Sequence, residues 1–168
     1  MRIGAIMRPH AALALAGLVG ACNLPRDPDD TLKRVENGEL RVGVAIHPPW
    51  TTDSAGAFGG VEPAMVRALA GQLRARVRWT PGGESVLMPE LHERKLDLVI
   101  AGLDAATPWA AQVGITRPYH WVTEPEKREL VWAVAPGENA WQMRVERFLR
   151  EQRADVATLA PVPGSASR

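Results

Sequence analysis

Apolar residues fall in short runs separated by glycine- or proline-bearing stretches, and their spacing alternates between two kinds. "LRVGVAI" (Leu40 to Ile46) is a β-branched run that reads as a strand and stops at His47-Pro48-Pro49. The Gly/Ser-bearing loop "TTDSAGAFGG" follows it. Val61, Met65, Leu69 and Leu73 then recur at helical spacing, with Pro63 in the first turn, where its missing N–H costs nothing. "RVRWT" (Arg76 to Thr80) reads as a second strand. "MPELHERK" reads as a helix with Pro89 near its start, and it leads into the strand "LDLVIAG". Thr107 as N-cap and Pro108 as the first helical residue open a short helix. A strand over Glu129 to Ala135 and a helix from Asn139 close the pattern. In that helix Gln142 completes a capping-box-like start, and Trp141, Val145, Phe148 and Leu149 form one apolar stripe.

Strands alternating with helices predict an α/β fold with a mostly parallel sheet flanked by helices. In such sheets ligands sit beyond the carboxyl ends of the strands. Here those ends are His47 to Trp50 and Gly102 to Trp109.

The two ends of the chain lie outside this alternation. Arg2 and Arg8 precede a short apolar stretch, Ala11 to Val19, which is too brief to span a bilayer. Gly20 and Ala21 lead directly to Cys22, the one cysteine in the chain. That order resembles the bacterial lipobox, which implies cleavage before Cys22 and lipid attachment to it; the simpler reading is a plain secretory signal. A lone thiol forms no internal disulfide, so lipidation gives this cysteine a purpose outside the cytoplasm. The expected organisation is a signal over 1–21, a tether over 22–39 with a helical turn before Gly38, a domain over 40–153 and a disordered tail over 154–168.

Composition adds mainly exclusions. With 46% hydrophobic and 23% charged residues the chain is ordinary globular material. Losing Arg2 and Arg8 with the signal lowers 20 Lys+Arg to 18 against 19 Asp+Glu, which leaves no footprint for nucleic acid.

"GELRVGVAIHPPW", "GGVEPAMVRALAGQL" and "MPELHERKLDLVIAGLDAATPWAAQVGITRPY" together resemble, in order and spacing, the first lobe of bacterial extracellular solute-binding proteins of family 3. The resemblance covers about Gly38 to Tyr119. It implies one lobe of a two-lobed receptor that closes on a small solute and delivers it to an ABC-type permease. It further implies that Trp50 packs on the ligand as the aromatic after the first strand. The family's carboxylate-gripping arginine has its place at Trp109, and its Ser/Thr hydroxyl falls at Ala106, one residue before Thr107. Arg117 is the nearby substitute for the lost guanidinium. An aromatic, cationic or uncharged solute suits Trp50 and Trp109 better than an ordinary α-amino acid, through stacking or cation–π contact. Only 49 residues follow Tyr119, so the strand and helix after the short "HWVTEPEKR" link read as the return to the first lobe, with the second lobe absent.

The expected ligand contacts are Trp50, Asp104, Thr107 and Trp109. Trp50, Trp109 and Trp121 follow strand ends or turns and suit ligand contact and packing equally, whereas Trp79, Trp132 and Trp141 fall at core-facing positions. Asp104 either receives a cationic group or caps its own turn. His47, His92, His120 and Glu124 lack metal-ligand spacing, so no metal or cofactor is expected. No nucleophile elbow, His-Glu-x-x-His or phosphate loop is present, and a non-enzymatic protein is expected. Two functions follow. One is a lipid-anchored solute-binding protein on the periplasmic side of the envelope, linked to ABC-type import. The other is an envelope lipoprotein that docks on a permease or membrane sensor and binds no solute.

Overall fold

The computed structural model describes residues 27–122, 127–154 and 156. The leader, Cys22, Glu124 and nearly all of the expected tail lie outside these residues.

The sheet is built on the three strands read from the sequence. β1 (Glu39–Val44) pairs in parallel with β4 (Arg76–Pro81) on one side and β5 (Leu98–Asp104) on the other. Beyond β5 lies β8 (Arg128–Val134), which runs antiparallel to it and carries the short strands β6 (Gly114–Ile115) and β7 (His120–Val122). The sheet is therefore mixed rather than mostly parallel. One strand, β8, is reversed, because it returns directly from the short link after β7 without a crossover helix. The loop after β1 also holds a small hairpin, β2 (Thr52–Ser54) and β3 (Ala57–Gly59). Its turn places Ala55 and Gly56 at φ 53° and 84°, the positive values that a tight hairpin turn demands.

Alternate residues of the central strands feed two cores. Val42, Val44, Leu98, Ile100, Trp132 and Val134 face α2 (Val61–Leu73) and α4 (Asn139–Glu151), whose Leu69, Trp141 and Phe148 are fully buried. Ala45, Val99, Ala101, Leu103, Val131 and Ala133 face α3 (Glu84–His92) through Leu87, Met88 and Leu91. Trp132 and Trp141 are core residues, as their spacing predicts. Trp79 is only partly buried, because β4 is an edge strand; Phe58 packs at 5.6 Å and the Arg67 guanidinium lies 5.6 Å from its ring.

Helix starts depart from the sequence reading. α3 begins at Glu84, well before Pro89, which sits inside it. α4 has no side-chain cap of its own, and Gln142 instead donates to the Ile115 carbonyl at 3.0 Å. The α4 amide of Ala140 is capped by the Asp27 carboxylate at 2.9 Å, 113 residues away in sequence. Glu138, nearly fully buried, accepts from the amides of Asp29 and Thr31, both at 3.0 Å. The residues just before β1 are thus docked, with α1 (Thr31–Val35) burying Val35. At the other end Val156, beyond the expected domain limit at 153, is fully buried in the α2/α4 core.

The base of the sheet is locked by Asp97. Its buried carboxylate meets Arg34 and Arg41 and accepts the Arg41 amide at 2.9 Å, tying α1 and β1 to the start of β5.

Candidate solute site at the strand tips

The parallel strands carry their carboxyl ends to one edge of the lobe, and β8 enters the sheet there. Gly102 is the pivot of this edge. The β5–β8 register breaks between Val99 and Leu103, and Gly102 adopts φ 57°, a value that a side chain rarely tolerates. A Cβ at this position would lie 2.8 Å from His47 Cδ2 and 3.1 Å from Trp50 Cδ1. The bare backbone is what lets the loop after β1 close over the tip of β5.

Below Gly102 lies Glu62, in the first turn of α2 and fully buried. Its carboxylate accepts from the Gly102 amide at 2.8 Å, the Tyr119 hydroxyl at 2.8 Å and the Trp132 indole N–H at 3.1 Å. Burial pushes its pKa up to about 7 against the opposing pull of those three donors and of Arg128. Burial and the neighbouring Glu62 in turn push the Tyr119 phenol well above its ordinary value.

Above Gly102 lies a second polar group. Arg128, the first residue of β8, donates through Nη2 to the Gly102 carbonyl at 2.5 Å, and its Nη1 lies 3.3 Å from His47 Nε2. Burial and the Arg128 charge both lower the His47 pKa, so this imidazole is neutral at pH 7. His120, at the start of β7, stacks obliquely on Trp50 with ring centroids 5.3 Å apart, and burial lowers its pKa as well.

The expected contact residues divide between the two sides of the sheet. Trp50 is only 6% exposed and belongs to the α2/α4 core. Trp109 is half-buried against the α3 core, and its indole N–H donates to Glu84 at 3.1 Å. Asp104 accepts from the amides of Ala106 at 2.8 Å and Glu129 at 3.1 Å, the turn-capping role weighed for it. Thr107 caps the 3₁₀ turn Pro108–Ala111, as its place before proline predicts, by accepting the Trp109 amide at 3.5 Å. Trp121 is 44% exposed beneath the Arg153 guanidinium, 5.0 Å from its ring. Arg117 lies away from the tip, exposed and facing Glu146 at 3.6 Å. Sequence reasoning missed Glu62, His47 and Arg128 as one cluster. The spacing of Arg128 before a β-branched run hinted only at a strand start.

Among the described residues no three His, Cys, Asp or Glu side chains gather so as to hold a metal ion. No helix among them is long and apolar enough to cross a membrane.

The model of bacterial extracellular solute-binding proteins, family 3, matches residues 40–159. The chain belongs to this family. A curated family relative, the ABC transporter arginine-binding protein 1 of Escherichia coli (strain K12), is 34% identical over 86 residues, 49% of this chain and 35% of the relative. The chain thus spans about a third of that relative's length. Among solved structures, the arginine-bound form of domain 1 from TmArgBP superposes with a TM-score of 0.64 at 22% identity, covering 71% of this chain and 97% of that one. The ancestral amino acid-binding protein AncCDT-1, described as a precursor of cyclohexadienyl dehydratase, gives 0.65 at 16% identity, covering 78% and 99%. These likenesses establish the fold, an α/β lobe of the family 3 type with a mixed sheet flanked by helices.

Proposed function

We propose that this chain is an extracytoplasmic solute-binding protein, anchored through a lipid on Cys22, that takes a small solute at the strand tips and serves ABC-type import. The observation that carries this reading is the convergence of two loop aromatics, an acid and a base around Gly102 at the carboxyl ends of the parallel strands, where open α/β sheets hold ligands. Trp50 and Asp104 contribute from one side of the sheet edge, Thr107 and Trp109 from the other. The faces of the two indoles and the Asp104 carboxylate favour a solute with a cationic or aromatic group. The arginine named in the titles of the E. coli relative and of the TmArgBP domain is such a solute. A single lobe covers only one side of its ligand, so affinity is weak unless a second wall is supplied.

A thermal-shift screen of the delipidated protein against amino acids, amines and aromatic solutes tests the proposal. A shift lost in Trp109→Ala and kept in Trp132→Ala, with both variants folded, supports the tip. Labelling with a palmitate analogue tests the anchor: Cys22→Ser abolishes it, and persistent labelling refutes lipidation at this residue.

A second reading, a docking module that binds no solute, draws on a different observation. Asp104, Thr107 and the Trp109 N–H are each satisfied within the lobe, while Ile46 and Val86 expose 49% and 57% of their surface just beyond β1 and β4. No solute response together with recovery of a permease or sensor by cross-linking in membranes favours this reading.

A further inference from the structure

Trp109 stands where the family resemblance places a carboxylate-gripping arginine, and Arg117, 81% exposed beside Glu146, does not replace it. A different guanidinium reaches the tip. Arg128 comes from the return strand and is held by two fixed contacts, to the Gly102 carbonyl and to His47 Nε2. Guanidinium has five N–H donors and no acceptor, so His47 Nε2 must be the unprotonated, accepting nitrogen. Both partners are therefore neutral. The fixed contacts use one N–H on each terminal nitrogen and leave one more on each, together with Nε–H.

Among the described residues, the carboxylate that approaches Arg128 from the surface is Asp104. Its Oδ2 lies 3.9 Å from Nε, beyond hydrogen-bond reach, and both of its oxygens already accept backbone amides. Glu62 lies behind Gly102, with its carboxylate engaged by three donors. The Arg128 side chain is 28% exposed. The tip thus presents a preoriented cation with free donors and no bonded counter-ion among these residues, the condition under which guanidinium binds a carboxylate bidentately.

We infer that Arg128 is the anion-binding group of this site and takes a carboxylate of the bound solute; the inference rests on the solute-binding reading above. An acid and a base 3.9 Å apart suit a solute that carries both charges, with its cationic group toward Asp104. The carboxylate grip has moved from the 3₁₀ turn to the return strand, which frees position 109 for an indole.

Matched pairs differing only in the carboxylate test this: L-arginine with agmatine, L-lysine with cadaverine, and L-phenylalanine with phenethylamine, each titrated calorimetrically. The expected result is that at least one acid binds about tenfold or more tighter than its decarboxylated partner, the scale of a charge-assisted pair. Arg128→Gln removes that discrimination, Arg128→Lys retains part of it, and Arg117→Gln leaves it intact. If Arg128→Gln does not fold, the lysine variant decides, because it keeps the charge and loses the fork. Equal binding of the two members of every pair, or full discrimination in Arg128→Lys and Arg128→Gln, overturns the inference and leaves solute binding standing. Absence of binding by every compound in the pairs and in the thermal screen overturns both.

Discussion

Glu62 makes a prediction about stability that runs opposite to ordinary acid denaturation. A carboxyl group whose pKa rises from 4.5 to about 7 on folding stays protonated in the folded chain while the unfolded chain has already ionised. Between those values the folded state binds more protons, so stability falls as pH rises and levels off above about pH 7. The shift of roughly two and a half units corresponds to about 3 kcal/mol at 1.36 kcal/mol per unit. His47 and His120 run the other way: their lowered pKa values add stability as pH rises toward 6.5. Comparison with Glu62→Gln cancels the histidine contributions. The amide is uncharged at every pH, so its stability relative to the wild type carries the Glu62 linkage alone. Urea unfolding of both proteins at intervals from about pH 4 to about pH 8 is the assay. The wild type should lose about 3 kcal/mol relative to the variant across that range. A flat difference, or one that grows in favour of the wild type with rising pH, refutes the argument that burial dominates the three donors.

Other substitutions separate the tip from the base. Gly102→Ala forces a left-handed residue and a methyl against His47 and Trp50, and urea unfolding should show a loss of about 2–4 kcal/mol. Asp97→Ala strands Arg34 and Arg41 at the opposite end and should cost about 2–4 kcal/mol in the same assay, yet leave solute affinity unchanged in the folded protein. Asp27→Ala removes the cap of α4, and a thermal melt should show a loss of about 1 kcal/mol.

Much of the fold is legible in the sequence because burial imposes period. Val61, Met65, Leu69 and Leu73 mark α2, and the all-apolar run from Leu98 to Leu103 marks β5, which is covered on both faces. Thr107-Pro108 is legible because the capping chemistry is local. What escaped the reading is long-range or short. The capping box expected at Asn139 is replaced by Asp27, more than a hundred residues away, and no local rule foresees that. β6, of two residues, and β7, of three, are too brief to carry a period. The reversal of β8 depends on how short its connection is, not on its own residues. The candidate site was half legible for the same reason. Strand-end position singled out Trp50, Asp104, Thr107 and Trp109, but a period-two strand sends neighbouring side chains to opposite faces, and Trp50 and Trp109 end in different cores. Glu62, in a helical first turn, and Arg128, at the start of a strand, look like ordinary surface charges until the fold brings both to Gly102.

The indole N–H signals in a proton–nitrogen correlation spectrum test the central claim most directly, because the six tryptophans report from different places. Titration with L-arginine should move the Trp50 and Trp109 signals saturably at the tips, with Trp141, bonded to the Asp97 carbonyl at the base, unmoved. Signals that all stay in place with every solute that shifts the melting temperature, or a response confined to Trp141, would contradict a solute site at the strand tips.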